Sequence, residues 1–395
     1  EIRAFVPKEY WLLDAVLTDE NKELKLSAKY YGNEKGKREL KNKAEADAVV
    51  NAVTGKNFTV KEVKASRKKR NPAPPFITST IQQEASRRYG MTPRRTMSIA
   101  QQLYEGVEIS GSGTIGLITY MRTDSLRISE DALKAAGTYI ISTFGKEYYN
   151  GTPRRFKSKS SAQDAHEAIR PTDVFLSPDA VRKDLSSDQY KLNRLIWCRF
   201  VASQMSAAEY NSLQIDSICE GNVFRSGLSE LVFKGYTSVY EEAKDEAEEG
   251  PSMNLPDIKE GQILLLESLN QEQKFTEPPA RYNEATLVKA MEEKGIGRPS
   301  TYAPTISTIT SHDYVIKLGR SLQPTALGET ITEVMEEHFP DIVDLKFTEK
   351  MESGLDEIET GEVNWQDYLK NFYGIFILLP SSAFSAALIS LSKSP

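Results

Sequence analysis

At 395 residues, 39% hydrophobic and 27% charged, the chain has an ordinary globular composition. It is two to three times the roughly 100–200 residues of a typical domain, so several domains are expected. The two cysteines, Cys198 and Cys219, form no C-x-x-C pair, which argues against structural zinc and a disulfide-rich secreted scaffold and for a reducing compartment. A net charge of −6 excludes a histone-like polycation, yet Lys64 to Arg95 carries +8, leaving −14 for the rest.

The chain opens on Glu1-Ile2-Arg3-Ala4-Phe5 without an initiator Met, a basic n-region or an apolar h-region, and reads as a piece of something longer. Tyr10 to Val16 is dense in aromatic and aliphatic residues, and Leu24 to Ala28 alternates. Ala44 to Val53 reads as a short helix ended by Thr54-Gly55, and Phe58 to Lys64 resumes a strand pattern. The basic run Arg67–Arg70 leads into Asn71-Pro72-Ala73-Pro74-Pro75, which can continue neither helix nor sheet ladder and marks a boundary.

From Phe76 to about Met205 the pattern is mostly helical. Thr80 can cap a helix that Gly90 stops after Tyr89, and Thr92-Pro93 supplies an N-cap and first-turn proline for a second. The pair resembles a helix-turn-helix, with Arg87, Arg88, Arg94 and Arg95 around the turn; a helical hairpin with a solvated basic face fits equally well. Tyr210 to Ser268 returns to strands, interrupted by an acidic stretch from Glu241 to Glu249 and the turn Gly250-Pro251. The simplest architecture inserts a helical domain into a β domain. Helices follow over Ala285–Lys294, after Ser300, and from Thr325, Thr348 and Trp365, with a hairpin around Gly319. The uncharged run Asn371 to Ser392 is long enough for a membrane span, but Pro380 and five serines argue against one.

Three segments carry chemistry. In Gly116-Leu117-Ile118-Thr119-Tyr120-Met121-Arg122-Thr123-Asp124-Ser125 an apolar strand delivers Tyr120, and Arg122 two residues later faces the same side. A phenolate is a competent nucleophile and a guanidinium can stabilise charge building on phosphorus, although a Tyr-x-Arg strand is more often simple packing. In Gln163-Asp164-Ala165-His166-Glu167-Ala168-Ile169-Arg170-Pro171 a helical spacing of four puts Arg170 beside His166, a pair able to grip phosphate; a helix end with a Glu167–Arg170 ion pair is the plainer reading. In Gly295-Ile296-Gly297-Arg298-Pro299-Ser300-Thr301-Tyr302 a glycine-rich turn opens a helix whose hydroxyls and free amides suit phosphate, or a glycine C-cap simply meets a serine N-cap. No Walker signature is present.

Together, G-L-I-T-Y-M-R-T-D-S, A-H-E-A-I-R-P-T-D, P-P-A-R-Y-N-E-A-T-L-V and G-I-G-R-P-S-T-Y-A, with the upstream F-I-T-S-T-I-Q-Q-E-A-S-R-R, closely resemble the bacterial type IA DNA topoisomerases in family order over residues 1 to about 370. The resemblance implies an α+β multidomain, toroidal core. Residues 1–71 and 207–278 would form a β-rich arch, 72–206 a helical domain bearing the tyrosine, 279–373 part of a single-strand cleft domain, and 374–395 an atypical tail. It implies ATP-independent cleavage in which Tyr120 attacks one strand and keeps the 5′-phosphate, followed by strand passage and resealing, relaxing negative supercoils.

By the same likeness Arg122 contacts the scissile phosphate, His166 organises it with Arg170, and Arg298, Ser300 and Thr301 line the groove. Arg87, Arg88, Arg94 and Arg95 join the DNA contacts. His312 is carried over as a weaker one, because the family usually shows arginine there. The implied partner is single-stranded or negatively supercoiled DNA, with no membrane and no nucleotide, in the bacterial cytoplasm at the nucleoid. Magnesium is implied for the full-length enzyme, but the D-x-D motif of the metal-binding Toprim domain occurs nowhere in this chain, and the cysteine-rich zinc modules are also missing. A non-catalytic single-strand DNA-binding module is the alternative.

Overall fold

A computed structural model describes residues 1–158, 166–242 and 255–377. The chain divides into two compact units, Glu1–Asn71 with Ala207–Ser238 and Glu246–Ala280, and Pro72–Ser206 with Val239–Asp245 and Arg281–Pro395. The helices after Arg281 therefore group with those around the tyrosine.

The elements run, in chain order, β1 (Glu9–Thr18), β2 (Lys25–Asn33), β3 (Gly36–Lys37), α1 (Lys43–Val53) and β4 (Asn57–Arg70). There follow α2 (Thr78–Tyr89), α3 (Pro93–Glu105), β5 (Val107–Ile109), β6 (Gly113–Ile115), α4 (Glu130–Phe144) and α5 (Ser187–Gln204). Next come β7 (Ala208–Cys219), β8 (Asn222–Phe233), β9 (Ile263–Phe275), α6 (Glu284–Glu293) and α7 (Tyr302–Ser311). The last are β10 (Val315–Leu318), β11 (Ser321–Pro324), α8 (Ala326–His338), α9 (Pro340–Val343), α10 (Leu345–Glu359) and α11 (Trp365–Ile377).

In the first unit the antiparallel strand order β1-β9-β4-β7-β8-β2, with β1 also paired to β2, closes a six-stranded ring that β3 extends. Period-two alternation aims Leu13, Ala15 and Leu17 of β1, Leu26 and Ala28 of β2, and Phe58 and Val60 of β4 into one core. Phe224 meets Phe58 edge to face at 5.3 Å, and α1 adds Ala46, Val49 and Val53 to the same core. Asn42 caps α1 by accepting from the Glu45 N–H at 2.9 Å.

The basic run Arg67–Arg70 ends just before the boundary between the units. It is the last part of β4, paired with Asn211–Ala208 of β7, and its side chains are exposed. Arg67 and Lys69 both reach Glu209, Lys69 at 2.8 Å, so cross-strand ion pairing lets a like-charged run stay in register. The proline-rich segment after it starts the second unit.

In that unit α2 begins at Thr78, two residues before the expected cap. Thr80 sits in the first turn and accepts from the Ile77 N–H at 3.0 Å. Gly90 ends α2 in the left-handed conformation at φ 64°, and the Thr92 side chain caps α3, with Pro93 in its first turn. Ile99, Ala100 and Leu103 form the buried stripe of α3, while α4 buries Leu133, Ala136 and Ile140. The β5–β6 hairpin was not expected in a mostly helical stretch.

Arg199 of α5, 4% exposed, donates to the Pro74 carbonyl and Glu242 and lies between the rings of Phe76 and Tyr240, tying down the proline-rich entry. Further on, α6 and α7 pack through Val288, Met291, Tyr302 and Ile306. Residues 243–254, which take in most of the acidic stretch from Glu241 to Glu249, and the tail from 378 lie outside the described residues. Among the described residues no helix is long and apolar enough to cross a membrane.

Candidate active site

Tyr120 does not lie on a regular strand. Residues 116–129 form an irregular segment, bent at Met121–Arg122, with a single isolated bridge, Ile118 to Pro171. The period-two logic survives without the strand, because Met121, Thr123 and Ser125 are buried while Tyr120, Arg122 and Asp124 reach one cavity. Two threonine hydroxyls hold the segment. Thr78, fully buried at the start of α2, donates to the Met121 carbonyl at 2.7 Å and accepts from the Thr123 N–H at 2.8 Å. Thr119 donates to the Ala168 carbonyl at 2.8 Å and accepts from the Arg170 N–H at 3.0 Å. Buried polar pairs of this kind are costly to break, so the backbone on both sides of Tyr120 is constrained.

The expected helix through His166 and Arg170 is absent over residues 166–171, which run extended beside residues 118–119 and Phe76; residues 159–165 lie outside the described ones. Pro171 and the pairing with Ile118 favour extended backbone there. His166 and Arg170 thus do not share a helix face. His166 stacks on Tyr120 at 5.1 Å between ring centroids, and its Nδ1 is buried without a hydrogen-bond partner among the described residues. Arg170 turns away, donating to Glu167 at 2.8 Å, to the Pro171 carbonyl at 3.0 Å and to Ser129 at 3.3 Å. Its side chain is only 13% exposed, and the ion pair with Glu167 is the plainer of the two sequence readings.

The cavity around Tyr120 measures about 600 Å³. Tyr104 closes one side, edge-on to Tyr120 at 5.5 Å, and Arg122, His166, Arg298 and Ser300 line it. Arg122 is exposed and, among the described residues, makes no ion pair. Arg298 is held by Asp356 of α10 at 2.5 Å, with Glu352 at 3.7 Å. A neighbouring groove of about 720 Å³ lies between α3 and α7; Arg122 and Ser300 belong to both, and Arg94, Gln101, Ser307 and Thr308 extend it.

Of the residues singled out in the sequence, Tyr120, Arg122, His166, Arg298 and Ser300 therefore meet in one cavity and Arg94 in the adjoining groove. The others stand apart from both linings. Arg88 pairs with buried Glu84 at 2.6 Å and lies over Tyr240, and Arg95 pairs with Asp188 of α5. Arg87 lies on α2 next to Arg88. Thr301 folds back on Arg298, accepting from its N–H at 2.8 Å, so it closes the turn that precedes α7. Exposed His312 stacks on Tyr314 at 5.5 Å past the end of α7.

Sequence reasoning missed Tyr104, Asp124 and the carboxylates of α10. Asp124 shares the parity of Tyr120 and Arg122, a readable signal. Glu352, Asp356 and Glu359 have helical spacing, but nothing in their spacing says which element they face.

Ring, helical unit and tyrosine-centred polar cleft define an α+β multidomain protein. A family model described as DNA topoisomerase matches residues 1–370. Full-length topoisomerase I from Thermotoga maritima, solved in a monoclinic crystal form, is similar at a TM-score of 0.81 and 36% identity, over 98% of this chain and 60% of that one. The chain belongs to the bacterial DNA topoisomerase family. It spans 60% of the length of the Thermotoga maritima structure.

Proposed function

We propose that this chain carries the strand-cleaving tyrosine of a type IA DNA topoisomerase that works on single-stranded DNA without ATP. The observation that carries the reading is Tyr120 held between two threonine clamps in a cavity with stacked His166 and with Arg122, which makes no ion pair among the described residues. The Tyr120 hydroxyl loses its proton to solvent as its oxygen attacks the phosphorus of one phosphodiester, forming a 5′-phosphotyrosine, and the P–O bond to the 3′-oxygen breaks, that oxygen taking up a proton. Arg122 lies where a cation meets the developing charge. The buried Nδ1 of His166 gains a partner when phosphate or the leaving hydroxyl is bound. Reversal of the step reseals the strand, and passage of another strand between the two events relaxes negative supercoils.

Magnesium, which the family implies, does not fit the described residues: no group of three or more His, Cys, Asp or Glu among them could hold a metal ion, and Asp356 and Glu352 are engaged by Arg298. The same feature favours a second reading, a single-strand DNA-binding module that never cuts. The two are separated by denaturing gels of 3′-labelled single strands incubated with the intact gene product. A labelled protein–DNA adduct that disappears in Tyr120→Phe supports cleavage. An adduct that persists in Tyr120→Phe overturns the nucleophile, and binding without any adduct supports the module.

A further inference from the structure

We infer a second, separate binding site for single-stranded nucleic acid at the open seam of the six-stranded ring in the first unit. β1 and β2 pair only from Asp14–Lys29 to Thr18–Lys25; β8 runs along the other edge of β2, and beyond Lys29 the edge that faced β1 pairs instead with β3 through Gly32–Lys37 and Asn33–Gly36. The first half of β1 therefore parts from β2, and β3 with the residues after it spans the space between them: the Arg38 N–H donates to the Tyr31 carbonyl at 3.0 Å and the Trp11 N–H to the Leu40 carbonyl at 2.8 Å. The gap is a cleft of about 710 Å³.

Its lining combines two chemistries. Tyr10, Trp11, Tyr30 and Tyr31 contribute aromatic rings from both strands, because splayed strands expose inner and outer faces together. Lys8, Lys29, Lys37, Arg38 and Lys41 stand around them, against the carboxylates Glu9, Asp14 and Glu39. Glu9 is already engaged, accepting from the Trp11 indole at 2.8 Å and from Gln273 at 3.0 Å. Tyr31 is fixed by Arg225, 3.6 Å above its ring, and Arg225 is itself paired with Asp216 at 2.7 Å. Tyr30 stands edge-on to Phe224 at 5.5 Å.

Pre-ordered rings among cations are what a flexible polyanion carrying flat bases needs, since stacking onto fixed side chains adds no rotamer cost. An acidic peptide would use the cations and leave the rings idle. The seam shares no residue with the Tyr120 cavity, so the inference does not rest on the proposed chemistry there.

The test reads Trp11 emission in the full 395-residue chain carrying Trp365→Phe, which leaves only buried Trp197 as background. An eight-residue oligothymidylate should quench Trp11. Lys37→Glu with Lys41→Glu, both exposed positions, should weaken the quenching affinity about tenfold and lower the salt slope of log K by about 1.4, the loss of two phosphate contacts. Arg122→Ala should leave this signal unchanged while altering binding at the other cleft. An oligonucleotide of abasic sugar-phosphate should bind roughly tenfold more weakly, since stacking is lost. No quenching at oligonucleotide concentrations that saturate the chain, an unchanged affinity in the double lysine variant with native circular dichroism, or tighter competition by polyglutamate than by oligothymidylate would each overturn the site.

Discussion

Tyr120 and Arg122 differ in what surrounds them, and that difference sets what each substitution should do. Tyr120 packs between two rings, so Tyr120→Phe removes one oxygen and leaves the Tyr104 and His166 contacts in place. Arg122 is exposed, so Arg122→Ala should cost rate by about 10²–10³ without unfolding, with partial recovery in Arg122→Lys because a point charge cannot reproduce the guanidinium fork. Single-turnover cleavage separates these outcomes; a full-rate Arg122→Ala would remove the guanidinium from the chemistry.

Arg298 presents the opposite case. Its charge is occupied by Asp356, with both side chains less than a third exposed. Asp356→Asn should therefore loosen it, leaving only Glu352 at 3.7 Å, and tighten oligonucleotide binding about fivefold, the equivalent of roughly 1 kcal/mol for a pair of this exposure. Fluorescence anisotropy with a labelled oligonucleotide checks this, and weaker or unchanged binding would mean that Arg298 does not reach the strand.

At the scale of elements, the cleft depends on how closely the Tyr120 segment approaches α3. The Leu117 N–H donates to the Leu103 carbonyl at 2.7 Å, and a Cβ at Gly116 would come within 2.6 Å of the Tyr104 carbonyl oxygen. Gly116→Ala should destabilise by about 1–3 kcal/mol through overpacking and move Tyr104 off Tyr120, whereas Gly227→Ala, with open space around it, should be near neutral in thermal melts. An equal effect at the two positions would show that the approach is not tight.

Thr78→Val tests the other contact between elements. It keeps the shape but orphans the Thr123 N–H and Met121 carbonyl, so a loss of about 1–3 kcal/mol is expected, while Thr78→Ser retains the bonds. The β4–β7 ladder has a pH signature of its own. Hydrogen bonds from Lys69 and Arg67 hold the Glu209 carboxyl below its ordinary range. A depressed carboxyl contributes stability above its unfolded value and loses it as pH falls through the folded one, so this end of the ladder should loosen only in acid.

For the whole molecule, chelation and salt should act differently. With no metal-holding group among the described residues, EDTA should leave oligonucleotide affinity of the isolated chain unchanged, whereas rising salt should weaken it steeply because phosphate contacts release counterions. Titrations in EDTA and in 50–200 mM salt check both. Single strands should bind better than duplex, since unstacked bases can meet Tyr104 and Tyr120; equal, salt-insensitive binding of the two forms would contradict the reading.

Much of this molecule is local and was legible in the sequence. Strand alternation, the Gly90 and Thr92-Pro93 helix boundaries, the hairpin at Gly319 and the order of motifs around Tyr120 depend on residue type and spacing, which act over a few residues. Even the shared side of Tyr120 and Arg122 needs only extended backbone. The helix expected at His166 failed because a spacing of four is also compatible with extended chain, and long-range pairing with Phe76 and Thr119 outweighs local preference there. What tertiary structure alone decided is which charges are engaged. Arg88 folds onto Glu84, Arg95 onto Asp188, Arg170 onto Glu167 and Arg298 onto Asp356, while Arg122 is left without an ion pair among the described residues. A carboxylate 58 residues away in sequence can neutralise Arg298 only once the fold brings α10 beside it, because ion pairing acts over a few ångströms of space.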